Sequence, residues 1–214
     1  MASNRGFLAV CILLISKGAD INGPGDESVR NPLEVAASRG DADMVAMFLR
    51  GDVRPDISRG ALDVACKMGH YRAARLVFEA QGSPIDSPQT VLLHSIQGGN
   101  LPLTEYLLGR GLRDSINDDL VNSIMNTFER VQYGHEVLEM LLSMGNGILN
   151  GKSIDSAMKR GLIRETELML RCPRLRLDDT ERKRILEASL LYPSSPWIVR
   201  LLDNVLAAEA PPEA

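Results

Sequence analysis

Three histidines and three cysteines are the side chains of this sequence best suited to catalysis or metal binding: His70, His94, His135, Cys11, Cys66 and Cys172. Cys66 and His70 are four residues apart, and a cysteine and a histidine on one helix face can form an activated nucleophile. Gly69 lies between them, however, and glycine at such a position usually ends a helix. We therefore predict that Cys66 is a small buried hydrophobic residue and not a nucleophile.

The remaining histidines and cysteines give no stronger signal. His70 and His135 each follow a glycine, where we expect a role at the start of a helix, and we expect His94 in the core or in a groove. Cys172 is flanked by Arg171 and carries a second arginine two residues on, an arrangement that activates a thiol. The simpler interpretation is an exposed cysteine in a loop. Wide and irregular cysteine spacing predicts reduced thiols in a cytoplasmic or nuclear protein.

Known catalytic motifs are absent from the sequence. GxGxxG after a strand, GxxxxGK[ST], HExxH and GxSxG do not occur. The sequence names no reaction, so we expect no cofactor and no metal, and we lean against an enzyme.

Composition favours a helical protein. The 214 residues are 44% hydrophobic and only 4% aromatic, which suits helices packed through small and aliphatic side chains. A net charge of −4 gives no reason to expect binding to nucleic acid or to a membrane surface. The uncharged stretch FLAVCILLIS (7–16) is shorter than the roughly 18 residues of a membrane-spanning helix.

Three segments of the chain repeat one pattern at a spacing of 29 and 30 residues: NPLEVAASRGDADMVAMFLR from Asn31, GALDVACKMGHYRAARLVFE from Gly60 and TVLLHSIQGGNLPLTEYLLGRG from Thr90. Each has a leucine, then two small residues or their substitutes, then a glycine and an aliphatic segment. The pattern predicts a short inner helix, a turn at Gly40, Gly69 or Gly99 with positive φ, and an outer helix. One such unit cannot bury its apolar face alone, so neighbouring units must stack.

These segments resemble ankyrin repeats. NPLEVAASRGD is similar to the family signature TPLHxAAxxGH, and LAVCILLISKGADIN is similar to the outer helix and loop xxVVxLLLxxGADVN. The resemblance implies an all-α, ankyrin-type helix–turn–helix solenoid of about six to seven divergent repeats with a helical C-terminal cap. We place a half repeat at 6–24, repeats at 27–56, 57–86, 87–115, 116–150 and 151–178, a cap at 179–208 and a disordered tail at 209–214.

The resemblance also interprets the apolar N-terminus. GADIN follows FLAVCILLIS as a loop follows an outer helix, so we predict a helix of the fold, with a secretory signal peptide as the alternative. The family histidine of TPLH is replaced by Glu34, Asp63 and Leu93. We therefore expect the hydrogen bonds between neighbouring repeats to differ from those of a consensus ankyrin array.

Ankyrin repeats bind other proteins on a concave face of loop tips and inner helices, and the resemblance carries those contact positions to this chain. They are mostly basic or polar: Arg30, Ser38, Arg39, Arg59, Lys67, Met68, Gln89, Gln97, Lys159 and Arg160. Because the basic residues would collect on one face, we expect a non-enzymatic interaction module for an acidic protein segment. The alternative is an enzyme or a small-molecule-binding protein with a pocket near the insertion at 129–133.

Overall fold

A computed structural model describes residues 8–20, 22, 30–50, 60–81, 85, 87–128, 133–144, 149–173 and 175–191. These residues form twelve α-helices and one 3-10 helix, with a single isolated β-bridge between Leu149 and Leu175. The predicted all-α class is confirmed for this part of the chain, whereas the number of repeats and their boundaries stay predictions. The chain divides into two compact units, Met1–Arg110 and Gly111–Ala214, which we describe separately.

The described part of the first unit consists of seven helices: α1 (Leu8–Ser16), α2 (Pro32–Arg39), α3 (Ala42–Arg50), α4 (Ala61–Lys67), α5 (Tyr71–Gln81), α6 (Pro88–Gln97) and α7 (Leu101–Gly109). The pairs α2–α3, α4–α5 and α6–α7 each pack together. The inner helix α4 lies between α2 and α6, and the outer helix α5 packs against α3 and α7. This alternation of inner and outer helices is the one that the sequence pattern predicts.

Glycine turns join each inner helix to its outer helix. Gly40, Gly69 and Gly99 have φ values of 70, 69 and 67°, as predicted, because only glycine adopts this left-handed conformation without cost. The residue after the glycine then links the repeats. His70 donates from Nε2 to the backbone oxygen of Ser38 at 3.2 Å, and Asn100 donates from Nδ2 to the backbone oxygen of Gly69 at 2.8 Å.

Small residues allow the inner helices to approach closely. Ala36, Ala37, Ala65 and Cys66 are fully buried, and Ser95 takes the same place in α6. Ser95 donates its hydroxyl hydrogen to the backbone oxygen of Leu92 and lies 3.1 Å from the hydroxyl of Thr104 on α7. The inner-helix interface is therefore packed with minimal side-chain volume, and its polar atom is satisfied within the pair α6–α7.

The first helix, α1, lies within the uncharged stretch 7–16, where we predicted a helix of the fold. Only Cys11 is buried among its described side chains, while Val10, Ile12, Leu13 and Leu14 are 43–57% exposed. An inner helix covers this face in the complete pairs of the unit. The α1 face has no such cover among the described residues.

The described part of the second unit has the 3-10 helix Leu112–Ser115 followed by α8 (Asp118–Thr127), α9 (Gly134–Met144), α10 (Gly151–Lys159), α11 (Ile163–Leu170) and α12 (Asp179–Leu191). Helix α10 packs against α8, α11 and α12, and α9 packs against α11. The helix α12 therefore takes the place of a further inner helix at the start of the predicted cap. The rest of the cap and the predicted tail lie outside the described residues.

Asp118 ties α8 to α10 through a buried carboxylate. Its Oδ1 accepts hydrogen bonds from the Ser153 hydroxyl at 2.7 Å and from the Asn150 backbone N–H at 3.1 Å. Its Oδ2 is buried without a hydrogen-bond partner among the described residues. Burial raises the pKa of Asp118, and the hydrogen bonds from Ser153 and Asn150 oppose that shift only in part.

Gly98 lies so close to α4 that a Cβ there would overlap the backbone oxygen of Cys66. We expect Gly98→Ala to destabilise the protein by about 1–3 kcal/mol, since backbone must move to accept the methyl group. Gly109 lies in α7 with open space around its Cβ position. Gly109→Ala should therefore stabilise the protein by about 0.5–1 kcal/mol. Urea unfolding of both variants tests the pair, and equal effects would contradict the packing.

The burial of Asp118 predicts a pH-dependent effect of Asp118→Asn. A carboxyl whose folded pKa is raised contributes most to stability below its unfolded pKa, and this contribution falls as pH rises through the folded value. Asparagine cannot ionise, so the stability of the variant relative to wild type should improve from about pH 3 to pH 7. Urea unfolding across that range measures the difference. If the stability of the variant relative to wild type instead falls with rising pH, the hydrogen bonds to Asp118 affect its pKa more strongly than burial does.

Candidate protein-interaction face

Three of the predicted contact residues lie at the ends of consecutive inner helices. Arg39, Lys67 and Gln97 lie in the last turns of α2, α4 and α6, which pack side by side. Arg39 and Lys67 are exposed, and Gln97 is half-buried. We call the surface formed by these last turns and by the glycine turns that follow them the turn-side face.

Met68 adds an apolar group to the turn-side face. It follows α4 and is 51% exposed, which makes it one of the few large apolar side chains of the described residues open to solvent. Gly98 takes the repeat-equivalent place after α6 and has no side chain to present. The face therefore offers one flexible apolar side chain beside two basic ones.

Ser38 positions the turn more than it offers a donor to a partner. Its hydroxyl donates to the backbone oxygen of Val35 at 2.8 Å, and its own backbone oxygen accepts the hydrogen bond from His70. The ring of His70 also fills the space beside Gly40, where a Cβ would come within 2.7 Å of Nδ1. This packing holds the turn of the first complete pair against the turn of the second.

The basic residues of the turn-side face also stabilise their own helices. A positive side chain in the last turn interacts favourably with the helix dipole, by about 0.3–1 kcal/mol at an exposed position. Arg39 and Lys67 both meet this condition. Their placement has a local electrostatic cause, and any partner would use charges that the fold already holds there.

An aspartate and a histidine face each other across the same inner helices. Asp63 of α4 and His94 of α6 have Oδ1 and Nδ1 3.4 Å apart, with both side chains partly exposed. Neither atom makes a hydrogen bond in the described part of the chain. The pair links α4 to α6.

Two further predicted residues of this unit, Arg30 and Gln89, lie at the opposite ends of the inner helices. Arg30 is exposed beside Asn31, whose side chain caps α2 by accepting the Glu34 backbone N–H at 2.8 Å. An eight-residue helix such as α2 is about 12 Å long, so Arg30 is separated from Arg39 by that length. Gln89 lies inside the first turn of α6 and not before it, because α6 begins at Pro88. Arg59 lies outside the described residues.

Lys159 and Arg160 belong to the second unit. They end α10 and are both exposed, at the place that Arg39 and Lys67 take in their own repeats. Lys159 donates from Nζ to Oδ2 of Asp155, one turn earlier, at 2.7 Å. Part of its charge is therefore balanced within its own helix.

The described residues place no catalytic constellation around the cysteines and histidines. Cys66 is fully buried, and burial together with Asp63 raises its thiol pKa to about 12, as expected for a packing residue. Cys172 is buried as well, which corrects the expectation of an exposed loop cysteine. His135 lies in the first turn of α9, with Nδ1 3.2 Å from Glu165 of α11.

Metal-ligating side chains are dispersed through the described ranges. No three His, Cys, Asp or Glu side chains in the described ranges come together to hold a metal ion. Residues 129–132 of the predicted pocket lie outside those ranges, and Tyr133 beside them is exposed with a φ of 58°. No helix in the described ranges has the length and apolar character needed to span a bilayer.

Sequence reasoning missed a cluster on the outer helices. Tyr106 of α7 lies against α5, where its hydroxyl donates to Oε1 of Glu79 at 3.0 Å. Arg75 donates from Nε to the same oxygen at 2.9 Å. Tyr71, Arg75 and Glu79 recur at every fourth position of α5 and so share one face, which is the signal that could have revealed the cluster.

Comparison with known proteins points to the same architecture as the sequence pattern. No family model matches the chain. An ankyrin repeat and KH domain-containing protein of Caenorhabditis briggsae is 30% identical over 127 residues, which is 56% of this chain and 5% of that protein. The ankyrin repeat and KH domain-containing protein mask-1 of Caenorhabditis elegans is 26% identical over 129 residues, with the same coverage. The chain is similar to ankyrin-repeat proteins.

The similarity covers only a small part of each relative. This chain spans about a twentieth of the length of the curated relatives it matches. The similarity therefore concerns a small part of much longer proteins, and ankyrin repeats in those proteins agree with the paired helices and glycine turns of the first unit. Proteins built from ankyrin repeats serve as interaction modules, which directs attention to the exposed faces of the stack.

The burial of all three cysteines predicts slow thiol chemistry in the folded protein. The nucleophile is the thiolate, and a pKa near 12 leaves Cys66 protonated at neutral pH. A disulfide reagent such as DTNB should react with native protein far more slowly than with free glutathione. Three thiols should then react at once in denaturant. Fast native labelling that maps to Cys172 would restore the activated-cysteine hypothesis.

Proposed function

We propose that this chain is a non-enzymatic interaction module that binds an acidic segment of another protein on the turn-side face. The carrying observation is that exposed Arg39 and Lys67 lie in the last turns of two packed inner helices, with exposed Met68 directly after Lys67. We place its action in the cytoplasm or nucleus, where the three free thiols would stay reduced.

Binding on this face would combine a small apolar contact with charged contacts around it. Carboxylates that approach Arg39 can accept paired hydrogen bonds from the guanidinium, and Lys67 adds a point charge one repeat away. Such exposed charges mainly raise the association rate and select the partner. Met68 supplies adaptable apolar contact, from which most of the binding energy of an interface would come.

The test is a selection from a random peptide library displayed on phage, with the chain immobilised. The proposal expects enrichment of peptides rich in Asp and Glu. These peptides should bind the double variant Arg39→Glu/Lys67→Glu at least about tenfold more weakly than wild type. Their affinity for wild type should also fall with rising salt concentration, because the charges are exposed.

The matched control is Lys17→Glu/Arg110→Glu. Lys17 directly follows α1 and Arg110 directly follows α7, so both changes occur at the ends of outer helices and carry a similar cost in helix dipole. Acidic peptides should bind this control as they bind wild type. Equal binding to the Arg39/Lys67 variant would refute the turn-side face, and enrichment of non-acidic peptides would refute the acidic partner.

A further inference from the structure

An open groove of about 450 Å³ runs between the outer helices α3 and α5. It is lined by repeat-equivalent positions of the two helices, offset by 29 residues. From α3 the lining includes Ala42, Ala46, Met47 and Arg50, and from α5 it includes Arg72 and Leu76. We call this the outer groove; it lies on the helices that do not carry the turn-side face.

The next interval along the stack, between α5 and α7, is filled by an aromatic side chain of the protein itself. The ring of Tyr106 packs edge-on to Tyr71 and Phe78 of α5, with centroids 6.0 and 5.9 Å away. The guanidinium carbons of Arg75 and Arg110 lie 5.8 and 5.2 Å from its centroid. The space between two outer helices of this protein can therefore hold an aromatic ring with a polar group at one end.

The hydroxyl of Tyr106 completes that arrangement. It donates to Glu79, while burial and this hydrogen bond raise the pKa of Tyr106. Hydrogen bonds from Arg75 and Tyr106 lower the pKa of Glu79. The ring of Tyr106 therefore packs against side chains of α5, and its hydroxyl donates to a charged carboxylate.

The outer groove stays open because its residues are smaller. Ala42 and Ala46 of α3 are the repeat equivalents of Tyr71 and Arg75, and Leu76 of α5 is the equivalent of Tyr106. The α3 wall therefore has alanine where the α5 wall of the next interval has an aromatic ring and an arginine, and α5 places no ring in the outer groove. A ring supplied from outside would meet Met47 and Leu76 with their apolar surfaces half-exposed.

The residue beside the polar end of the ring position is positively charged in the outer groove and negatively charged in the interval between α5 and α7. Arg50 takes the place that Glu79 holds beside Tyr106. Arg50 is exposed and forms no ion pair within the described residues, and the same holds for Arg72 across the groove. Asp43 is the acid that lines the groove besides Glu79, which is already paired with Arg75. A negatively charged hydrogen-bond acceptor on a partner would therefore complement Arg50 at this end of the groove.

We propose that the outer groove docks a segment of another protein that inserts an aromatic side chain between α3 and α5 and places a carboxylate on Arg50. This second interaction surface is independent of the turn-side face. The apolar ring would supply most of the binding energy, and Arg50 would select an acidic neighbour over a basic one. Aromatic residues are the usual anchors of such pockets.

The probe is a short, capped, alanine-based helical peptide with one phenylalanine and a glutamate four residues later. Its partner peptide carries lysine in place of that glutamate. Amide chemical shifts of the isotope-labelled chain should change along α3 and α5 when the glutamate peptide is added. Fluorescence anisotropy should show that wild type binds this peptide at least about fivefold more tightly than the lysine peptide.

Two variants distinguish the contribution of the inserted aromatic ring to binding from that of the charge on Arg50. Arg50→Glu should invert the preference, so that the lysine peptide binds more tightly. Leu76→Tyr combined with Arg50→Glu recreates the Tyr106–Glu79 pair within the groove, and this double variant should lose both peptides by at least about tenfold. Because the second interval already carries that pair, the double variant should fold, and its circular dichroism and thermal unfolding confirm this. Leu76→Met is the matched control that leaves the groove open.

Each other result overturns the proposal. Absence of binding, shifts away from α3 and α5, or an unchanged preference in Arg50→Glu would show that the groove does not dock such a segment. The turn-side variant Arg39→Glu/Lys67→Glu should bind the glutamate peptide as wild type does. Loss of binding there would transfer the peptide to the turn-side face and support the first proposal instead.

Discussion

Close approach of neighbouring inner helices is the constraint on which the first unit depends. Ala36, Ala37, Ala65 and Cys66 are fully buried where these helices meet, and no Cβ fits at Gly98 beside the backbone of α4. A larger side chain would overpack the junction, since protein interiors have few voids to absorb it. This spacing brings repeat-equivalent positions of α2, α4 and α6 next to one another. Both the turn-side face and the outer groove follow from that alignment.

The polar links between repeats differ from one junction to the next. His70 reaches the carbonyl of Ser38, and Asn100 reaches that of Gly69. In the second unit the Gly151 N–H donates to Glu181 Oε1 at 3.0 Å, and Glu181 also accepts from the Asp178 N–H near the start of α12. Buried polar groups need partners whatever their residue type, so different side chains can meet the same demand. Different side chains therefore link neighbouring helices at each junction.

Function would arise where the repeats differ from one another. The helices repeat, but Arg39, Met68 and Gly98 occupy equivalent places with different chemistry, and so do Leu76 and Tyr106. The backbone supplies a regular spacing of side chains, and each substitution changes charge or volume at one known point. An interaction module built in this way gains a binding surface without new folding constraints, because each repeat contacts only its neighbours.

The sequence by itself determined the helical class, the glycine turns at Gly40, Gly69 and Gly99 and the burial of Cys66, because these follow from local backbone preference and from hydrophobic spacing. It also indicated Arg39 and Lys67 as exposed residues at matching helix ends. Only the tertiary structure decided that Cys172 is buried, that Asp63 faces His94 and that Tyr106 closes one groove while Ala42 and Ala46 leave another open. Those outcomes depend on side chains from different repeats meeting in space, at distances that helix packing sets and that sequence spacing alone does not give.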